Sequence, residues 1–204
     1  MELDTLPNNL NFETPIQLEK RINLEVADFF EVAPLKPEIT TYDDKVNLDR
    51  EWIDRSDGRY TEAPDWLVAF ATHSGQIHIL SPDIMPASFE KSSQLRFSKT
   101  LKHEIGHIYT SQINRHAPSW LCEGISLYMA GQNHYKKVSL DKITLALLDE
   151  LEDTPTDGKI YQLGKNMVDL IMENFNKDTL LSLVAIKDKE VRYQRLQEMF
   201  VWLK

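Results

Sequence analysis

Two histidines four residues apart, with a glutamate directly after the first, form the pattern in this sequence that is most capable of chemistry. His103 and His107 enclose Glu104, Ile105 and Gly106. On an α-helix, residues four apart lie about 40° from eclipsed, so both imidazoles project from one face and can bind one metal ion. Glu104 lies about 100° further round, where its carboxylate can reach a metal-bound water. The pattern predicts hydrolysis by an activated water, with Glu104 as the general base.

An acidic residue 16 positions after His107 offers a third ligand. Glu123 lies in a segment that begins with a helix-entry proline, Pro118. The connection from His107 is long enough to end one helix, turn, and carry Glu123 on a second helix. Two neutral imidazoles and one carboxylate suit Zn²⁺, and a tetrahedral ion would keep one position open for water. We therefore predict a zinc site formed by His103, His107 and Glu123.

Further side chains are candidates for supporting roles. Cys122 is a competing metal ligand, but on a helix it points about 100° away from Glu123, which favours a small buried thiol. Tyr161 and His116 are candidate donors to the oxyanion that hydrolysis generates. The alternative for Tyr161 is a ring that packs at a helix start, and we predict the catalytic role. The remaining histidines are assigned to a turn, a strand and a solvated loop: His73, His78 and His134.

The composition fits one compact domain. The chain has 204 residues, of which 42% are hydrophobic and 27% are charged, enough for a substantial core. A net charge of −9 argues against nucleic acid and anionic membranes as partners. Cys122 is the only cysteine, so an internal disulfide is excluded and a reducing compartment is favoured. With no signal-peptide pattern and no apolar run of about 20 residues, we expect a cytoplasmic protein.

The elements that must position the site are expected to be a small sheet followed by helices. Apolar residues that recur at every second position indicate strands, and those that recur about every 3.6 positions indicate helices. The predicted strands are Glu38–Tyr42, Trp66–Ala71 and Gln76–Leu80, the last two joined as a hairpin. The predicted helices are Ile16–Val32, Asn47–Asp54, Ser92 or Ser93 to about Gln112, Pro118 to about Ala130, Val138–Leu151, Ile160–Phe175, Thr179–Ile186 and Glu190–Leu203.

These elements predict a single α+β domain over residues 1–204. Residues 1–14 are expected to be a loose leader. Residues 15–91 would form a lobe with a small antiparallel or mixed sheet, and residues 92–204 a mainly helical lobe that holds the metal site. The sequence does not indicate an oligomeric state.

The metal motif and the segment after it resemble a known family. The sequence reads His-Glu-Ile-Gly-His over 103–107, and then Pro118, Trp120-Leu121, Glu123-Gly124 and Tyr128. This is similar to the gluzincin metallopeptidases of the peptidase MA-like group, with the pattern His-Glu-x-x-His and then Pro-x-Trp-Leu-x-Glu-Gly-x-Ala-x-Tyr. Together with a hairpin at 66–82 and a tyrosine-led helix at 161–170, the resemblance covers about half the chain, residues 66–175.

The resemblance implies a zincin-like fold with His103, His107 and Glu123 as zinc ligands and Glu104 as catalytic base. The chain departs from the group's pattern at Ser126, where alanine is usual. It departs again at Leu127, where the group commonly has an acidic residue that supports the ligands.

The implied function is a zinc metallopeptidase, an endopeptidase rather than an exopeptidase, acting on a peptide or protein substrate. Strand Gln76–Leu80 could be the edge that receives an extended peptide, or an edge that simply ends the sheet. Two other functions remain open. One is a non-catalytic zinc-stabilised binding or regulatory module, favoured by Leu127 and the small size of the chain. The other is an intracellular protease that cleaves repressors, since such proteases also use a His-Glu-x-x-His helix.

Overall fold

The computed structural model describes residues 14–202, apart from 73, 89, 139–142 and 154–157. These residues form a small sheet followed by a mainly helical half, which confirms the α+β class. The elements in chain order are α1 Pro15–Phe30, β1 Glu38–Tyr42, α2 Lys45–Asp54, β2 Ala69–Ala71, β3 Gln76–Leu80, α3 Ser93–Ile113, α4 Ser119–Met129, α5 Leu145–Asp153, α6 Lys159–Asn174, α7 Lys177–Ala185 and α8 Lys189–Trp202.

The sheet is mixed and has the strand order β1-β3-β2. β1 pairs with β3 in parallel, and β2 pairs with β3 antiparallel, as expected for the hairpin. β3 is therefore the central strand, and the prediction that Gln76–Leu80 is a peptide-receiving edge is wrong. The physical reason is that, after α2 and β2, the chain brings β3 back beside β1, which occupies the backbone groups on that side of β3.

β2 is shorter than predicted, since it begins at Ala69 rather than at Trp66. The N–H of Leu67 donates to the carbonyl of Pro64 in a turn, so the first residues of this apolar run do not form a strand. Trp66 is 62% exposed, and its ring lies outside the core. β2 is left as a three-residue strand at one edge of the sheet.

The two helices of the predicted metal motif have the expected ends. The Ser92 hydroxyl accepts from the N–H of Leu95 and caps α3. After α3, the side-chain amide of Asn114 donates to two carbonyls of the segment that ends α7, and this fixes the turn. α4 then follows Pro118 and ends before Gly131, whose φ of 62° lies in the left-handed region. Both helices agree with the prediction to within about a residue or two.

The later helices follow the predicted order, with one clear error. The helix predicted from Val138 begins instead at Leu145. The N–H of Val138 donates to the side chain of Asn166, so this residue is tied to α6 in a non-helical conformation. The leader over residues 1–13, His73 and Leu203 lie outside the described residues.

One cluster of buried apolar side chains joins the sheet to the helices. It includes Ile77 and Ile79 of β3, Ile105 of α3, Ile125 of α4 and Val168 of α6, all fully buried. The sheet and α4 thus hold α3, which carries the two histidines. Among the residues that the structure describes, none of the helices has the length and apolar character to cross a bilayer.

Candidate metal centre

His103, His107 and Glu123 converge where α3 and α4 meet. The two Nε2 atoms of His103 and His107 lie 3.0 Å apart. Glu123 Oε2 lies 3.1 Å from Nε2 of His103 and 3.5 Å from Nε2 of His107. Ligand atoms about 2.0–2.1 Å from one tetrahedral ion are separated by about 3.3 Å. The three atoms therefore have the spacing of three corners of a tetrahedral site, and the group could hold a metal ion.

The side chains of this cluster stabilise the charged forms of Glu123 and His107. Burial by itself raises the pKa of Glu123, but His107 and His103 outweigh that effect and hold it well below its usual range. Burial by itself lowers the pKa of His107, yet the Glu123 carboxylate, and then Glu104, raise it to about 9. In the metal-free protein, an ionised Glu123 thus faces a protonated His107. A cation bound between the three residues would take the place of that proton.

Glu104 lies beside the triad and is buried, with 7% of its surface exposed. Burial raises the pKa of its carboxyl group, against the opposing effect of His103 and His107. The backbone N–H of Ala71 in β2 also acts to lower this pKa. Glu104 therefore lies on α3 where its carboxyl group faces the edge of the sheet. A carboxylate with a raised pKa holds a transferred proton better than an ordinary one, as a general base requires.

A cavity of about 730 Å³ joins these groups. Its walls include the three clustered side chains and Glu104 on one side, and the β2 edge on the other. Tyr135 and Tyr161 line it as well. The candidate ligands and the candidate base thus face one common space that can admit another molecule.

Tyr161 reaches this cavity from the first turn of α6. Its ring packs edge-on against Trp66, with 6.3 Å between ring centroids, and is stacked on Tyr135 at 6.4 Å. Burial, and then the charges of Glu123 and Glu104, raise the pKa of its hydroxyl well above the usual range. A tyrosine hydroxyl is protonated at neutral pH even at its ordinary pKa of about 10, so this group can act as a hydrogen-bond donor to a molecule in the cavity.

The other candidates lie elsewhere or are engaged. His116 is exposed and does not line the cavity. Cys122 lines the cavity and is half-buried, and its thiol donates to the carbonyl of Ala117. Burial raises the pKa of this thiol to about 12. His78 lies in β3 as predicted, with Nδ1 2.8 Å from the hydroxyl of Tyr42. His134 lies in an exposed loop, as predicted, at the rim of the cavity.

Gln132 is the contact that the sequence reasoning missed. Its Oε1 lies 3.0 Å from Nδ1 of His103, the ring nitrogen that faces away from the triad. The only local signal is its place directly after Gly131, which closes α4. Nothing in the sequence spacing relates that position to His103.

No protein-family model, curated protein or solved structure matched the chain.

Proposed function

We propose that this chain is a zinc-dependent metallopeptidase with a zincin-like fold, related to the gluzincins, that cleaves internal peptide bonds of peptide or protein substrates. The observation that carries the proposal is the triangle of His103, His107 and Glu123 ligand atoms, with Glu104 beside it in the same cavity. Structural metal sites use four protein ligands, whereas catalytic zinc sites use three and keep one position open. Three ligands facing a cavity fit the catalytic type.

The donor set favours zinc over other divalent ions. Two imidazole nitrogens and one carboxylate oxygen are common ligands of catalytic zinc, whereas calcium and magnesium prefer sites made of oxygen. Bound zinc supplies Lewis acidity, which lowers the pKa of a water molecule and polarises a carbonyl oxygen.

Glu104 is the proton carrier of the proposed reaction. It accepts a proton from the attacking water and delivers it to the leaving amine. Its burial favours the protonated form that the reaction passes through. Tyr161 is the proposed donor to the carbonyl oxygen as negative charge develops there. Its hydroxyl is protonated at neutral pH, as a hydrogen-bond donor must be.

The outer edge of β2, on the side away from β3, is the proposed docking site for the substrate backbone. The carbonyl of Val68 and the N–H of Thr72 bond to β3. Because bonding directions alternate along an antiparallel strand, the backbone groups of Ala69 and Ala71 point away from β3. The Ala71 N–H faces Glu104, and among the described residues the N–H and carbonyl of Ala69 and the carbonyl of Ala71 are the groups of this edge with which an extended peptide would pair. These groups border the cavity.

The substitution Glu104→Gln tests the proposal. We expect the variant to bind one zinc ion per chain, measured by elemental analysis, while cleavage of a peptide library falls by about 10²–10⁴-fold. Glu62→Gln, a glutamate exposed on the surface, serves as the matched control and should cleave like the parent.

Two results would count against the proposal. Equal cleavage by the Glu104→Gln variant and the parent would remove Glu104 from the mechanism. A parent protein that is fully loaded with zinc, loses stability on chelation, and cleaves no peptide in broad pools would instead be a zinc-stabilised binding module.

A further inference from the structure

We infer that Gln132 is a positioning residue that orients the imidazole of His103 for the metal, in place of the acidic support that Leu127 cannot provide. The inference rests on the metal site of the proposed function and concerns how this chain holds its first ligand. Leu127 is 2% exposed, and its apolar side chain packs into the interior. Leu127 therefore offers His103 no side-chain hydrogen-bond acceptor.

The direction of the hydrogen bond follows from the chemistry of the two groups. Gln132 Oε1 is an amide carbonyl oxygen and can only accept, so Nδ1 of His103 carries the proton. In the metal-bound protein, the lone pair of the neutral imidazole then lies on Nε2, the atom that belongs to the ligand triangle with His107 and Glu123. Gln132 thus selects the tautomer that can ligate a metal and restrains rotation of the ring.

The C-terminal end of α4 positions Gln132 beside His103. Gly131 adopts the left-handed conformation, and its N–H donates to the carbonyl of Tyr128. The N–H of Gln132 donates to the carbonyl of Leu127 at 3.1 Å. These two bonds form a Schellman motif, which sets the direction of the chain after the helix. Leu127 therefore acts through its backbone, by holding the residue that contacts His103.

A lysine ties this cap to the metal-binding helix. Lys99 Nζ donates to the carbonyl of Gly131 at 3.0 Å and forms an ion pair with Glu90 at 2.9 Å. Lys99 lies four residues before His103, so both side chains project from the same face of α3. Lys99 thus holds the segment that carries Gln132 against α3, one helical turn before His103.

The substitution Gln132→Leu removes the acceptor while keeping a side chain of similar size, and Gln132→Glu keeps an acceptor at the same reach. We expect Gln132→Leu to weaken Zn²⁺ affinity by about 10–100-fold, measured by competition with a chelator. Gln132→Glu should restore affinity to within about threefold of the parent or above it, since it again accepts from Nδ1. Asn133→Ala, an exposed neighbour in the same segment, is the matched control and should bind Zn²⁺ like the parent.

Two further measurements separate orientation of the ring from general damage to the fold. Circular dichroism and thermal unfolding of the metal-free variants should match the metal-free parent closely. With Co²⁺ as the probe, the visible absorption bands of the Gln132→Leu variant should differ from those of the parent, because the bands report ligand geometry. In the zinc-loaded parent and in Gln132→Glu, the Nδ1 proton of His103 should be protected from exchange in NMR spectra, and that protection should be lost in Gln132→Leu.

The inference is overturned if Gln132→Leu binds Zn²⁺ as tightly as the parent, or if the Nδ1 proton stays equally protected in that variant. It is also overturned if Gln132→Glu is as weak as Gln132→Leu, because the acceptor would then not be what matters. None of these outcomes depends on cleavage. If the protein cleaves no peptide, the Gln132 test can therefore still be carried out. If the Gln132 test fails, the proposed peptidase activity can still be tested with Glu104→Gln.

Discussion

Gly124 and Gly164 lie backbone against backbone where α4 crosses α6. A Cβ atom on Gly124 would lie 2.3 Å from the carbonyl oxygen of Gly164, and one on Gly164 would lie 2.1 Å from the carbonyl oxygen of Trp120. Glu123 directly precedes the first glycine, and Tyr161 lies one turn before the second. The close crossing therefore sets the distance between the helix that carries Glu123 and the helix that carries Tyr161.

The substitution Gly164→Ala should destabilise the protein strongly. The added methyl meets backbone atoms that cannot rotate away, so the helices must separate, at a cost of about 3 kcal/mol in the free energy of unfolding. Urea denaturation measures the change. Gly158→Ala is the matched control, because a Cβ there meets nothing within 4 Å. Equal stability of the two variants would show that the crossing tolerates a wider separation.

Removal of the Tyr161 hydroxyl should reduce turnover without loss of metal. We expect Tyr161→Phe to lower kcat by about 10²–10³-fold, the usual effect of losing one oxyanion donor. Zinc content should not change, because Tyr161 is outside the ligand triad. Tyr135→Phe, which keeps the stacked neighbouring ring, is the control and should retain most activity. A Tyr161→Phe variant with unchanged kcat would assign Tyr161 to packing alone.

Zinc binding should release protons at neutral pH. In the metal-free protein His107 has a pKa of about 9, while the pKa of Glu123 is held below its usual range. Below pH 9, His107 must lose a proton before it can ligate, so apparent affinity should rise about tenfold per pH unit up to that value and then level off. At about pH 7, we expect at least one proton per zinc ion.

Calorimetry in buffers of different ionisation enthalpy counts these protons. The His116→Gln variant is the control, because this exposed histidine lies outside the cavity and should leave the number of released protons unchanged. Zinc binding at pH 7 without proton release would contradict the charge pairing of His107 with Glu123.

A second pH effect should come from His78 in β3. Burial, and then Arg55, lower the pKa of this histidine below 6.5. As pH falls below 6.5, His78 takes up a proton in the unfolded chain but not in the folded protein, so the contribution of His78 to the free energy of unfolding decreases until the pH passes the folded pKa. We expect His78→Gln to remove this decrease, measured by urea denaturation of metal-free protein at about pH 7.5 and 5.5. Equal pH dependence of variant and parent would rule out His78 as its source.

The sequence by itself determined the features that depend on neighbours along one element. The four-residue spacing of His103 and His107 places both rings on one face of any helix they occupy. Ser92, Pro118 and Gly131 mark helix ends because capping and left-handed backbone conformations are local preferences. The two helices of the site, and the strands β1 and β3, were predictable for this reason.

Only the tertiary structure decided which elements lie side by side. A strand's pattern predicts that it pairs, but its hydrogen-bond partners can come from anywhere in the chain, so the central place of β3 could not be predicted from residues 76–80. Gln132 meets His103 across 29 positions because α4 packs on α3 and its cap points back. Gly124 and Gly164 let α4 and α6 pack closely against each other. The spacing of side chains along the sequence shows which residues share one face of a helix or strand. The site forms where faces of different elements meet, and how they meet depends on packing across the whole core.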